Sequence, residues 1–162
     1  MQKIYIIGSV GSGKTTLAKK LSSNLNIKSY ELDKVVWDDG NENIKRSDED
    51  VFKIFNKILE EESWIIEDVG RRKFSDGIKK ADIVYYIDLN PVIIYKRCIL
   101  RWIKQKIRLE KYNYKPTLKS LVQMIKWASQ DIKNKNQKID YIKNNSKEYK
   151  ILKRKDINLL IN

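Results

Sequence analysis

A chain of 162 residues is the usual size of one folding unit, and a 41% hydrophobic share with four Trp, nine Tyr and three Phe excludes wholesale disorder. No run approaches the roughly 20 apolar residues that cross a bilayer, the short apolar start Ile4–Ile7 is unlike a secretion signal, and the lone Cys98 excludes an internal disulfide, so the expectation is a single cytoplasmic domain over 1–162. The lack of any His excludes imidazole triads, proton shuttles and histidine zinc sites, leaving carboxylates, Lys, Arg, hydroxyls, backbone amides or an acquired ion to carry chemistry.

Residues 3–7 form a short run rich in strand formers, closed by Gly8, and Leu17, Ala18, Leu21 and Leu25 then recur at helical spacing. Between them, Gly8-Ser9-Val10-Gly11-Ser12-Gly13-Lys14-Thr15 satisfies the phosphate-loop pattern G-x-x-x-x-G-K-[ST] in the required strand-to-helix context. Glycines there let successive amides converge on phosphate oxygens, and the helix N-terminus adds positive potential. Lys14 is placed to reach the β- and γ-phosphates of ATP and the Thr15 hydroxyl to ligate Mg²⁺, with Thr16 completing the nucleotide-binding run.

Lys28–Leu32 reads as a second strand ending at Asp33, and Ser47 caps a helix whose apolar stripe is Val51, Phe52, Phe55, Ile58 and Leu59. Trp64–Ile66 is a third strand that delivers Glu67 and Asp68, and Ile83–Ile87 a fourth that closes at Asp88. A helix from about Val92 to Leu109, a break over Tyr112–Pro116, and a second long helix carrying Leu118, Leu121, Val122, Ile125, Ala128 and Ile132 follow. Tyr149–Leu152 is a fifth strand, and Asp156–Leu160 a last short helix. Apolar strands alternating with helices predict a three-layer α/β/α fold with a five-stranded parallel sheet, its ligands beyond the C-terminal strand ends, and a helical lid at about 103–116.

Net charge is +13 and uneven: residues 1–90 hold 15 basic and 16 acidic side chains, residues 91–162 hold 19 and 5. The excess is either a polyanion surface, which leaves nucleic acid open as a partner, or lysines that solvate helices.

A phosphate loop does not name the reaction. Asn134-Lys135-Asn136-Gln137 lacks the Asp of the guanine motif, which disfavours a GTPase. Glu31–Trp37, Trp64–Glu67, and Ile87-Asp88-Leu89 followed by Arg97 and Arg101 resemble, with the phosphate loop, the small nucleoside- and nucleotide-kinase-like proteins, most nearly the DNA topology modulation (FlaR-related) group. The resemblance spans roughly residues 3–105, with Glu67-Asp68-Val69-Gly70 departing from the group's Asp-Gly-Asn-Tyr, and implies ATP- and Mg²⁺-dependent phosphoryl transfer to a small acceptor.

In that setting Asp33 is a candidate to orient an acceptor hydroxyl or take its proton, or else a helix cap. Trp37 either walls the acceptor pocket or sits in the core. Strand alternation puts only one of Glu67 and Asp68 toward the metal, with Glu67 preferred because it aligns with the group's Asp. Arg71 looks like the acceptor-phosphate arginine of adenylate kinases, or else is an exposed loop arginine. Arg97 and Arg101 share a helix face at the lid entrance, suited to stabilising transition-state charge. Lys153-Arg154-Lys155 joins strand five to the last helix, where either an Arg154 plane holds the base or the stretch is a basic turn without contact. Two alternatives remain open: a nucleic-acid-linked ATP-dependent protein, and a nucleotide binder with vestigial catalysis.

Overall fold

The computed structural model describes residues 2–38, 44–109 and 116–161. Five strands, β1 (Lys3–Gly8), β2 (Ser29–Glu31), β3 (Trp64–Asp68), β4 (Ile83–Ile87) and β5 (Tyr149–Leu152), form one parallel sheet in the order β2-β3-β1-β4-β5. Among the described residues eight α-helices cover it: α1 (Lys14–Leu25), α2 (Leu32–Val36), α3 (Asp48–Glu60), α4 (Ser75–Lys80), α5 (Pro91–Lys106), α6 (Leu118–Lys133), α7 (Lys135–Asn145) and α8 (Arg154–Ile161).

Two-residue alternation along the strands divides the core. Tyr5, Ile7, Trp64, Ile66, Val84 and Tyr86 face one side and pack on α2, α3, α4 and α7. Ile4, Ile6, Ile65, Ile83, Tyr85 and Ile87 face the other and pack on α1, α5, α6 and α8. This is the expected three-layer α/β/α arrangement. β1 lies at its centre, paired with β3 and β4, so Gly8 emerges between Asp68 and Ile87.

Helix α3 starts where its capping signal placed it: Ser47 Oγ accepts from the Asp50 amide at 3.1 Å, worth about 1 kcal/mol. Its buried stripe is Val51, Phe55, Ile58 and Leu59, with Phe52 left exposed. Of the expected α6 stripe only Ala128 is buried, joined by Met124, while Leu118 and Val122 are exposed.

Several boundaries differ from the sequence reading. β2 is only three residues long, because Leu32 already begins α2, so Asp33 lies in a helical first turn rather than at a strand end. α4 and the 3₁₀ turn Arg72–Phe74 interrupt what reads as a loop. Gly77 permits this, since a Cβ there would stand 2.6 Å from the Tyr5 ring, and the weak helix former is the one that lets α4 touch β1. α7 was not expected either; it is rich in Lys and Asn and buries only Ile142. α5 ends at Lys106, and α8 begins at Arg154, so the basic stretch after β5 is a helix start rather than a turn. Residues 110–115 of the expected lid lie outside the described residues.

Candidate functional site

The loop leaving β1 returns into α1 through two glycines with positive φ, Gly11 at 77° and Gly13 at 96°, angles that a side chain resists. Gly13 is the N-cap of α1 and supplies no side-chain cap, so the first-turn amides are left for a ligand. The hydroxyls of Ser9 and Ser12 are buried in the same loop without a hydrogen-bond partner. Lys14 Nζ donates to the Ser9 carbonyl at 3.1 Å, which folds the side chain back over the loop.

Opposite the loop, Glu67 faces the α1 side of β3. Its carboxylate accepts from Thr15 Oγ1 at 2.7 Å and stands 4.0 Å from Lys14 Nζ. Burial pushes this carboxyl above the usual range, against the downward pull of Lys14 and the Thr15 hydroxyl. A hydroxyl and a carboxylate side by side are hard oxygen donors and fit Mg²⁺, which keeps several waters and needs few protein ligands. Among the described residues no cluster of three or more His, Cys, Asp or Glu offers a more complete metal cage.

Asp68, one residue on, faces the opposite layer. Its fully buried side chain accepts from the amides of Gly70 (2.8 Å) and Arg71 (2.6 Å) and from Arg71 Nε (2.6 Å). The outer edge of the same guanidinium donates from Nη2 to Asp33 Oδ1 at 2.9 Å, and its carbon lies 5.2 Å from the Phe74 ring centre. Burial works against the Arg71 charge, but Asp68 and Asp33 outweigh it and hold the pKa above its ordinary value. Asp33 and Arg71 are thus brought together at the C-terminal sheet edge.

Arg97 reaches the loop from α5, donating from Nη1 to the carbonyls of Ser12 (2.9 Å) and Gly11 (3.4 Å). Arg101 is exposed one turn later on the same helix. Buried Cys98 lies between them with Sγ 3.9 Å from the Val10 carbonyl; burial raises its thiol pKa while Arg101 and Lys14 pull it down, so both cations act at this spot.

Trp37 is 45% exposed at the end of α2, so of its two alternatives the core is not where it sits. Arg154 is exposed at the start of α8, and its neighbour Lys153 instead joins Lys135 in pairing with Asp88. Burial raises the Asp88 carboxyl, yet the two lysines prevail and lower it.

Three residues that build this region were not singled out from the sequence. Arg46 donates to the carbonyls of Lys34, Val35 and Trp37 and to Asp38, closing the end of α2. Lys138 of α7 donates at 2.6 Å to the Val69 carbonyl and to Asp131. Lys135 pairs with Asp88. Lys135 and Lys138 reach Asp88 and Val69 across 47 and 69 residues, so no local pattern marks those contacts.

Residues 4–116, containing the loop, Glu67 and Arg97, match a family model described as an AAA domain. The chain belongs to the P-loop nucleotide-kinase-like superfamily. A protein from Methanocaldococcus jannaschii named "Putative adenylate kinase" is 33% identical over 122 residues, covering 70% of this chain and 60% of that protein. The chain therefore spans somewhat under two thirds of that relative's length. The fold is that of shikimate kinases: the Bacteroides thetaiotaomicron structure superposes with a TM-score of 0.61 at 14% identity, covering 98% of this chain and 93% of that one. The Acinetobacter baumannii enzyme in complex with shikimate gives 0.58 at 13%, covering 99% and 89%. No helix among the described residues is long and apolar enough to cross a membrane.

Proposed function

We propose that this chain is an ATP-dependent phosphotransferase acting on a small acceptor, with 1–162 working as one domain and the region 103–116 as its lid. The observation that carries this reading is the convergence of the Thr15 hydroxyl and Lys14 ammonium on buried Glu67, beside a glycine loop that opens a helix with no side-chain cap.

The amides of Gly8–Thr16 and the Lys14 ammonium bind the phosphate chain, Lys14 exchanging the Ser9 carbonyl for phosphate oxygens. Thr15 and Glu67 hold Mg²⁺, which when bound neutralises charge on the β- and γ-phosphates. Arg97 reaches the loop from α5 and Arg101 follows one turn later; in this reading the pair stabilises charge spreading onto the transferred group and excludes water as the lid closes. Across the sheet edge Arg71, held by Asp68, presents its outer edge to an anionic part of the acceptor. Asp33 orients the acceptor hydroxyl and takes its proton, with Trp37 as a wall. Arg154 lies at the α8 start as the base-side contact. The kinase names of the relatives support the reaction class. The nucleic-acid-linked alternative rests on the charge of residues 91–162 and on the resemblance to the DNA topology modulation group.

The test is a screen of small hydroxyl and phosphate acceptors with γ-labelled ATP. Mg²⁺-dependent transfer of label to an acceptor is the expected result. Labelled phosphate released only to water, across nucleosides, nucleotides and hydroxy acids, would leave a nucleotide binder with vestigial catalysis.

A further inference from the structure

Beneath α7, against α4 and the turn at Gly70, lies a cavity of about 200 Å³ that shares no lining residue with the Gly8–Thr15 loop, Asp33, Glu67 or Arg71. Its floor is apolar, formed by Ile7, Ile78 and Ile142. Its upper wall is one face of α7, where Gln137, Lys138 and Tyr141 recur within a single helical turn. A helix packed on a sheet ordinarily turns apolar side chains inward there. This one turns an amide, an ammonium stem and a phenol over isoleucines, and a space remains.

The charge lining the cavity has one sign. Lys138 is engaged by the Val69 carbonyl and Asp131. Arg72 is exposed at the rim with its guanidinium carbon 5.6 Å from the Tyr141 ring centre, and no carboxylate is among the lining residues. Arg71 and Arg72, adjacent in sequence, therefore serve different places: the first is clamped by Asp68 and Asp33, the second stacks over this cavity. An apolar cavity of about 150 Å³ holds benzene, so this volume accommodates a ring bearing one small anionic substituent.

We propose that the cavity is a second binding site, distinct from the phosphate loop, for a small organic anion: a ring or compact apolar body on Ile7, Ile78 and Ile142, and a carboxylate or phosphate ester meeting Arg72. An apolar pocket with a few convergent polar groups is the ordinary form of a small-molecule site, and a guanidinium stacked on an aromatic ring is pre-organised for a planar or tetrahedral anion.

The experiment is calorimetric titration of the full-length protein with phenyl phosphate and with benzoate, each with and without saturating Mg-ATP. At least one probe is expected to bind at one site, unaffected by nucleotide, and the stronger of the two identifies the preferred anion. Arg72→Gln, a change at an exposed position, should weaken that probe about tenfold, and Tyr141→Leu should weaken it as well. The proposal is overturned if neither probe binds in the millimolar range, if Arg72→Gln leaves the affinity unchanged, or if Mg-ATP displaces the probe competitively. The Arg72→Gln comparison needs no nucleotide, so its failure is separable from any failure of the kinase reading.

Discussion

Replacing Asp68 with Ala should destabilise the protein by about 3 kcal/mol. The side chain is completely buried and receives the Gly70 amide, the Arg71 amide and Arg71 Nε within 2.8 Å. Truncation leaves two backbone donors and the inner edge of a guanidinium without an acceptor, and removing one partner of a buried ion pair costs about 3–5 kcal/mol. The low end applies because Arg71 keeps Asp33 at 2.9 Å and is 25% exposed, so water reaches part of it. Urea unfolding reads the loss directly. The double variant Asp68→Ala/Arg71→Met should recover at least about 1 kcal/mol, since it removes the stranded cation. ATP affinity should barely change, because Glu67 faces the other layer of the sheet. A loss below about 1 kcal/mol, or no recovery in the double variant, would refute the view of Asp68 as the buried clamp of the acceptor-side turn.

Burial raises the Glu67 carboxyl despite Lys14 and Thr15, so its contribution to stability is full below the ordinary glutamate range and is lost as pH rises through the raised value. Glu67→Gln should remove that dependence, leaving the nucleotide-free protein at least as stable at neutral pH while weakening Mg²⁺-dependent nucleotide binding; easier unfolding by urea at neutral pH would contradict this. Gly11→Ala puts a Cβ 3.0 Å from Cys98 Sγ at a φ of 77°, and should cost at least about 1–2 kcal/mol, read as a lowered thermal midpoint. Arg101→Ala should lower turnover about 100-fold with little change in ATP affinity, and turnover equal to the parent would remove Arg101 from the mechanism.

The phosphate loop was legible because its chemistry is local: eight consecutive residues bring their own turn, amides and cation. The opposite facing of Glu67 and Asp68 was legible too, since strand alternation sends neighbours to opposite faces, and Glu67 meets Thr15 while Asp68 meets Arg71. β1, β3 and β4 were legible through their apolar runs, whereas β2 is only Ser29-Tyr30-Glu31 and carries none. α4 was hidden because Gly77, the residue that lets it approach Tyr5, reads as a helix breaker. α7 was hidden because a helix built from Lys and Asn carries no clear apolar period. The clamp on Arg71 joins Asp33 to a turn 38 residues away, and Lys138 meets Val69 across 69. Such pairings follow from topology, and no single-segment pattern encodes them.

The proposed phosphoryl transfer requires the phosphate loop to hold a nucleoside triphosphate. Its most direct test is titration calorimetry of Mg-ATP into the parent protein and into Lys14→Ala, with circular dichroism to show that both are folded. The account predicts saturable binding to the parent and none measurable to the variant; equal affinity for the two would contradict it.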